Sequence, residues 1–183
     1  MWTPIEGDPS ILNEYVYALT KNEKLQIQDV FSFDDLTEDT VGGQLGAVII
    51  NYPLSVPVTI PSVNFEAKFV RQTIDNACFT VALLHSLLNR DLLSSFTALE
   101  DYEQLHQQYG AQGETTVDND TEMHYIAIVP VNGHAVWFDG RSETPVDLGS
   151  FGAEFGRFVA DNIKTWIDLS AASQFAAFAL VCQ

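Results

Sequence analysis

Apolar positions along the chain follow helical and strand periods in turn, and the breaks between them mark the elements. Ile11, Leu12, Tyr15, Val16 and Leu19 form the buried stripe of a first helix. Asp8 is its cap and Pro9 its first helical residue, behind an extended arm. Residues 25–31 partly alternate and predict a short strand, and residues 34–39 a polar turn or short helix. Gly42, Gly43 and Gly46 make a flexible lead into residues 47–52, AVIINY, which are apolar on both faces and therefore a central strand. Pro53, Pro57 and Pro61 exclude regular structure from residues 53–66. Residues 72–89, QTIDNACFTVALLHSLLN, follow as a polar turn and then a helix apolar nearly all round, which places that helix in the interior.

The second half continues the pattern. Leu99, Tyr102, Leu105 and Tyr109 predict a surface helix, with Thr97 and Glu100 at capping-box spacing and Gly110 and Gly113 at its end. Residues 114–122 are acidic and almost without apolar side chains, which predicts a solvent-facing, mobile loop. Two alternating runs, MHYIAIVPV and HAVWFDG, flank Asn132-Gly133 and predict a hairpin. Phe155, Phe158, Val159, Ile163 and Trp166 recur at helical spacing, and QFAAFALVC reads as a closing strand. The order is helix, strand, strand, helices, strand, strand, helix, strand, without repeats, which suits an α/β or α+β layered fold.

Composition narrows the class. At 183 residues the chain fits one domain, 1–183. Its net charge of -17 disfavours nucleic acid and anionic membranes, and suits either a basic partner or a merely solubilising surface. Two cysteines, no basic leader and no run of membrane-span length lead us to expect a soluble protein in a reducing compartment, the cytoplasm, with the nucleus also open; a monomer is expected as well. No cofactor or metal is expected, because the four histidines and two cysteines lack ligand spacing and Gly42-Gly43 lacks a phosphate-cradling continuation.

Cys78 falls in the first turn of the buried helix, where free N–H groups and the helix dipole favour a thiolate. The hairpin brings His124, near the start of one strand, towards Asp139, at the end of the next. Nucleophile, base and orienting carboxylate are what thiol acyl transfer needs. Gln72 reads either as an amide aimed at an oxyanion beside the Cys78 N–H or as a turn residue capping local backbone, and Asn76 reads as the helix cap. His85, two turns beyond Cys78, reads as structural, His106 as part of a surface helix, His134 as exposed and Cys182 as a core or subsurface residue.

These segments resemble one family, the ubiquitin C-terminal hydrolases, which are papain-like cysteine peptidases. QTIDNAC, residues 72–78, resembles its Gln-Thr-Ile-x-Asn-x-Cys signature, and residues 123–141 its histidine and Asp-Gly-Arg signature. WTPIEGDP, INYPLS and FAAFALVC are similar to its opening, its strand-to-proline stretch and its last strand. The resemblance implies Cys78 as nucleophile, His124 as general base, Asp139 as its orienter and Gln72 as oxyanion-hole residue. It also implies a papain-like fold with a central antiparallel sheet between helices, a knotted backbone, and ubiquitin, with its basic face and Arg-containing tail, as partner. A ubiquitin-like protein as substrate, or a binding module with impaired catalysis, are the other readings. Two departures carry consequences. Phe79 stands where the family usually has glycine, so its ring must point away from the cleft or narrow it. The stretch between Cys78 and His124 is short, chiefly over residues 91–122, so a crossover loop at about 112–122 would restrict leaving groups to small or unfolded ones.

Overall fold

The computed structural model describes residues 1–114, 122–172 and 174–183. Among the described residues, six strands form one antiparallel sheet: β1 (Leu25–Asp29), β2 (Gln44–Pro53), β3 (Met123–Val131), β4 (His134–Phe138), β5 (Val146–Ser150) and β6 (Ala176–Cys182). Their order is β1-β6-β2-β3-β4-β5, so β2 is central and the last strand lies inside the sheet. Five α-helices among the described residues pack around it: α1 (Pro9–Thr20), α2 (Glu38–Val41), α3 (Cys78–Asn89), α4 (Glu103–Gly110) and α5 (Phe155–Trp166).

Alternation along β2 explains why both faces need cover. Ala47 and Ile49 face a core with Leu12, Tyr15 and Val16 of α1 and with Phe79, Leu83 and Leu87 of α3. Val48 and Ile50 face the opposite core, built with Val159, Ile163 and Trp166 of α5. A third cluster, Trp2, Val70, Val81, Leu84 and Leu99, closes the outer side of α3. That cover accounts for a helix buried from Phe79 to Leu88. The hairpin forms where expected, with Asn132 and Gly133 at φ 51° and 81°, the left-handed conformation that a tight turn demands.

Several elements differ from the expectation. Gly42 is the left-handed end of α2 and Gly43 packs on the Cys182 carbonyl, so the glycines terminate a helix and begin β2 instead of forming a flexible lead. The stripe from Leu99 is broken into a 3-10 turn, Leu99–Tyr102, followed by α4. No capping box forms, because the Thr97 hydroxyl donates to Asp101. His106 is buried, not on a surface: the Trp2 ring lies tilted against it at 4.5 Å, and its Nε2 lies 2.7 Å from the Thr3 carbonyl. Strand β5 was not foreseen, since Val146–Ser150 carries a weak apolar pattern and is recruited by pairing with β4. Most of the expected mobile loop, residues 115–121, lies outside the described residues.

Candidate active site

Residues 71–77 deliver the chain to α3 by a sharp turn. Asn76 adopts φ 65°, and Ala77, which has no capping side chain, is the helix cap. Asn76 is therefore not the cap; its Nδ2 donates instead to the Trp2 carbonyl at 3.0 Å, while the Trp2 N–H donates to Asp75 O at 2.9 Å. Both bonds tie the N-terminal arm to the turn before Cys78. Cys78 opens α3, partly buried, with the first-turn N–H groups unopposed by any side-chain cap. Phe79 turns the other way, into the core, its ring 5.2 Å from that of Tyr125 and 6.0 Å from that of Tyr15. The cleft is not narrowed by it.

The hairpin supplies the other two groups. Ala127 pairs with Phe138, so Asp139 falls diagonally across from His124, within side-chain reach. His124 Nε2 lies 2.8 Å from Asp139 Oδ1, which also accepts from the Arg141 N–H at 2.9 Å. A carboxylate can only accept, so Nε2 carries the proton and Nδ1 is left for the thiol. Burial disfavours a charged imidazole here, but the Asp139 hydrogen bond, then the interaction with the Cys78 side chain, prevail and raise His124 to about 9. Burial likewise opposes the Asp139 charge, yet the His124 hydrogen bond and charge and the Arg141 N–H hold that carboxyl below its ordinary value. Tyr52 stands edge-on to the imidazole at 6.2 Å, and its phenol is kept neutral by burial and by the Asp139 charge.

Gln72 is positioned through its backbone. Its N–H donates to Gly140 O at 2.8 Å, joining the turn before α3 to the end of β4. A Cβ on Gly140 would lie 2.5 Å from Val81 and 3.0 Å from the Gln72 Cβ, so only glycine permits this approach. The Gln72 side chain donates to Ile74 O at 3.2 Å, which fixes the amide's orientation; among the described residues its second N–H is uncommitted and its oxygen is buried without a partner. His85 is buried with its Nε2 accepting from the Val70 N–H at 3.0 Å, which is a structural role. His134 is half-buried rather than exposed and pairs with Asp147 at 3.0 Å. Cys182 is partly buried against the core.

A cavity of about 170 Å³ opens beside Cys78, walled by Pro4, Ile5, Asn51, Asn76, Met123 and Tyr125 among others. A larger one of about 280 Å³ lies at the other end of β2 and β3, among Leu36, Arg90, Pro130 and Phe155, and its lining has neither cysteine nor histidine. The smaller is the one with the chemistry. Sequence reasoning overlooked three contributors to the site: the arm residues 4–7 and Asn51, which wall the cavity, and Tyr52, edge-on to His124. A polar side chain inside an otherwise apolar central strand was the available signal for Asn51. A thiol beside an imidazole held by a carboxylate, next to an open cavity, is an arrangement suited to covalent acyl transfer.

Comparison with known proteins converges on one family. The family model for ubiquitin carboxyl-terminal hydrolase, family 1, matches residues 2–101 and 93–168. A ubiquitin carboxyl-terminal hydrolase of Drosophila melanogaster is 28% identical over 201 residues, spanning 89% of this chain and 88% of its own. One from Aplysia californica is 27% identical over 189 residues, spanning 84% and 88% respectively. The fold is similar to the UCH37 catalytic domain of Trichinella spiralis, whose crystal structure holds ubiquitin vinyl methyl ester. That likeness has a TM-score of 0.73 at 19% identity and covers 100% of this chain and 96% of that one.

Proposed function

The chain belongs to the ubiquitin carboxyl-terminal hydrolases of family 1, and from that premise we propose that it is a cysteine-type deubiquitinating peptidase with Cys78 as its nucleophile. It hydrolyses amide, ester or thioester bonds at the C-terminal glycine of ubiquitin. Before substrate reacts, the thiol proton passes to His124 Nδ1, giving the imidazolium that Asp139 and the raised His124 value favour, and the sulfur then attacks the glycine carbonyl. The Cys78 N–H and the uncommitted N–H of Gln72 hold the resulting oxyanion. His124 returns its proton to the leaving amine, a water enters, His124 takes a proton from it, and the thioester opens to free ubiquitin and thiol. Asp139 keeps the ring oriented and offsets its charge throughout. The observation that carries this reading is the 2.8 Å His124–Asp139 bond set against Cys78 at the mouth of α3.

Incubation with ubiquitin vinyl methyl ester tests it. The protein should gain one ubiquitin on Cys78, Cys78→Ala should gain none, and Gln72→Ala should bind ubiquitin normally while turnover falls by a factor matching about 3 kcal/mol in the barrier. A protein that forms no adduct overturns the proposal, and one that reacts only with the same probe built on a ubiquitin-like protein changes the partner but not the chemistry. The reading as a blocked binding module loses its basis, because Phe79 lies in the core. By our reading the short stretch before His124 admits only small or unstructured adducts. A ubiquitin fused to a short peptide should then be cleaved far faster than one fused to a folded domain, and equal rates would count against a restrictive loop.

A further inference from the structure

β2 is apolar from Leu45 to Ile50, apart from Gly46, and Asn51 ends that run where the strand enters the wall of the Cys78 cavity. Alternation puts Asn51 on the same face as Ala47 and Ile49, the face covered by α3, with Tyr125 of β3 and Ala176 of β6 as its neighbours in register. A leucine-like side chain would suit that surface. Instead the Asn51 carboxamide oxygen is sealed from solvent with no hydrogen-bond partner among the described residues. Polar groups beside it are committed elsewhere: the Tyr125 hydroxyl donates to Ile5 O at 3.4 Å, and the Asn76 amide to Trp2 O at 3.0 Å. Among the described residues the Asn51 oxygen therefore caps nothing and joins no network, and an unsatisfied buried acceptor weakens a fold unless something else is gained.

Resting on the function proposed above, we infer that Asn51 is a substrate-binding residue whose carboxamide hydrogen-bonds a peptide group of the ubiquitin tail lying in the cavity beside Cys78. A peptide unit carries one N–H donor and one carbonyl acceptor, and a carboxamide offers the complement of both. A half-turn about its last side-chain torsion presents either atom without altering the space it fills. The contact lies away from the reacting carbonyl, so it acts on binding of ground state and transition state alike.

Asn51→Leu keeps the number and branching of the side-chain heavy atoms and removes both polar atoms. It should raise KM for a ubiquitin C-terminal amide about tenfold, equivalent to about 1.4 kcal/mol, with kcat within about threefold of the parent and a melting temperature no lower. A variant that is equally active with an unchanged KM overturns the inference, as does one whose losses follow only from a lower melting temperature. Semisynthetic ubiquitin in which each of the last three backbone amides is replaced in turn by an ester gives a second arm that needs no variant. One replacement should weaken binding to the parent protein severalfold, and Asn51→Leu should be indifferent to that same replacement. An ester series with no effect on the parent sinks the proposal. Failure of the family function would look different, because the parent protein itself would form no adduct with ubiquitin vinyl methyl ester.

Discussion

One carboxylate sets how far into alkali His124 keeps its proton. The Asp139 hydrogen bond is the largest influence raising the imidazole, which reaches about 9. Asp139→Asn removes the charge and retains the shape, so the alkaline limb of the kcat/KM profile should shift down towards the ordinary histidine value near 6.5, measured on a ubiquitin amide from pH 5 to 10. An unmoved limb would assign it to another group. Phe79 makes the opposite point about a neighbouring position. Its ring fills the space between Tyr15 and Tyr125, so Phe79→Ala should lower stability by about 3–5 kcal/mol in urea unfolding while leaving kcat of the folded fraction nearly unchanged. The residue after the nucleophile belongs to the core and not to the chemistry.

Between elements, the decisive junction is the meeting of β4 with the turn before α3. The hairpin carries His124 and Asp139, α3 carries Cys78, and the Gln72 N–H to Gly140 O bond of 2.8 Å joins the two units. Gly140→Ala would drive a methyl group to 2.5 Å from Val81 and force that junction apart. We expect kcat to fall at least tenfold, about 1.4 kcal/mol in the barrier, with a smaller change in KM, measured beside circular dichroism to establish that the protein is folded. The elements themselves were largely legible. α1 with its Asp8 cap, the central β2, the Asn132-Gly133 hairpin and α5 each follow from a period and a boundary residue that lie within a dozen positions. β5 was not legible, because an edge strand held by its partner needs no strong pattern of its own. The broken helix near Leu99 escaped for a related reason: Leu99 is drawn into the cluster around Trp2 and α3, and the backbone bends to follow it.

Across the whole protein, two buried histidines govern its response to acid. Burial lowers both His85 and His106 to about 4, against weaker opposing hydrogen bonds to the Val70 and Thr3 backbone. Neutral His106 donates through Nε2 to the Thr3 carbonyl, so its Nδ1 accepts from Thr80, which in turn accepts from Tyr15; the two latter contacts are 2.7 Å each. As pH falls from 6.5 towards 4 the unfolded chain takes up two protons that the native protein refuses. Stability fully present above pH 6.5 is then lost, by up to about 3 kcal/mol for each ring. His124 acts in the reverse sense: its contribution is complete below pH 6.5 and disappears as pH rises through about 9. Urea midpoints measured from pH 4 to 10 should therefore peak near pH 6.5–7, and a curve flat from 7 down to 4.5 would contradict the burial of both rings. Adjacent residues alone were enough for most of the elements and for the pairing within the hairpin, and for naming Cys78, His124, Asp139 and Gln72 as the set to watch, since periodicity, turn chemistry and signature spacing are local properties. The burial of His106, the inward turn of Phe79, the release of Asn76 from capping and the place of Asn51 in the cavity wall came only with the assembled protein. Each depends on what packs against an element's outer side. Here that is the arm at residues 2–7 and strands distant in the chain, and no short-range pattern records such a neighbour.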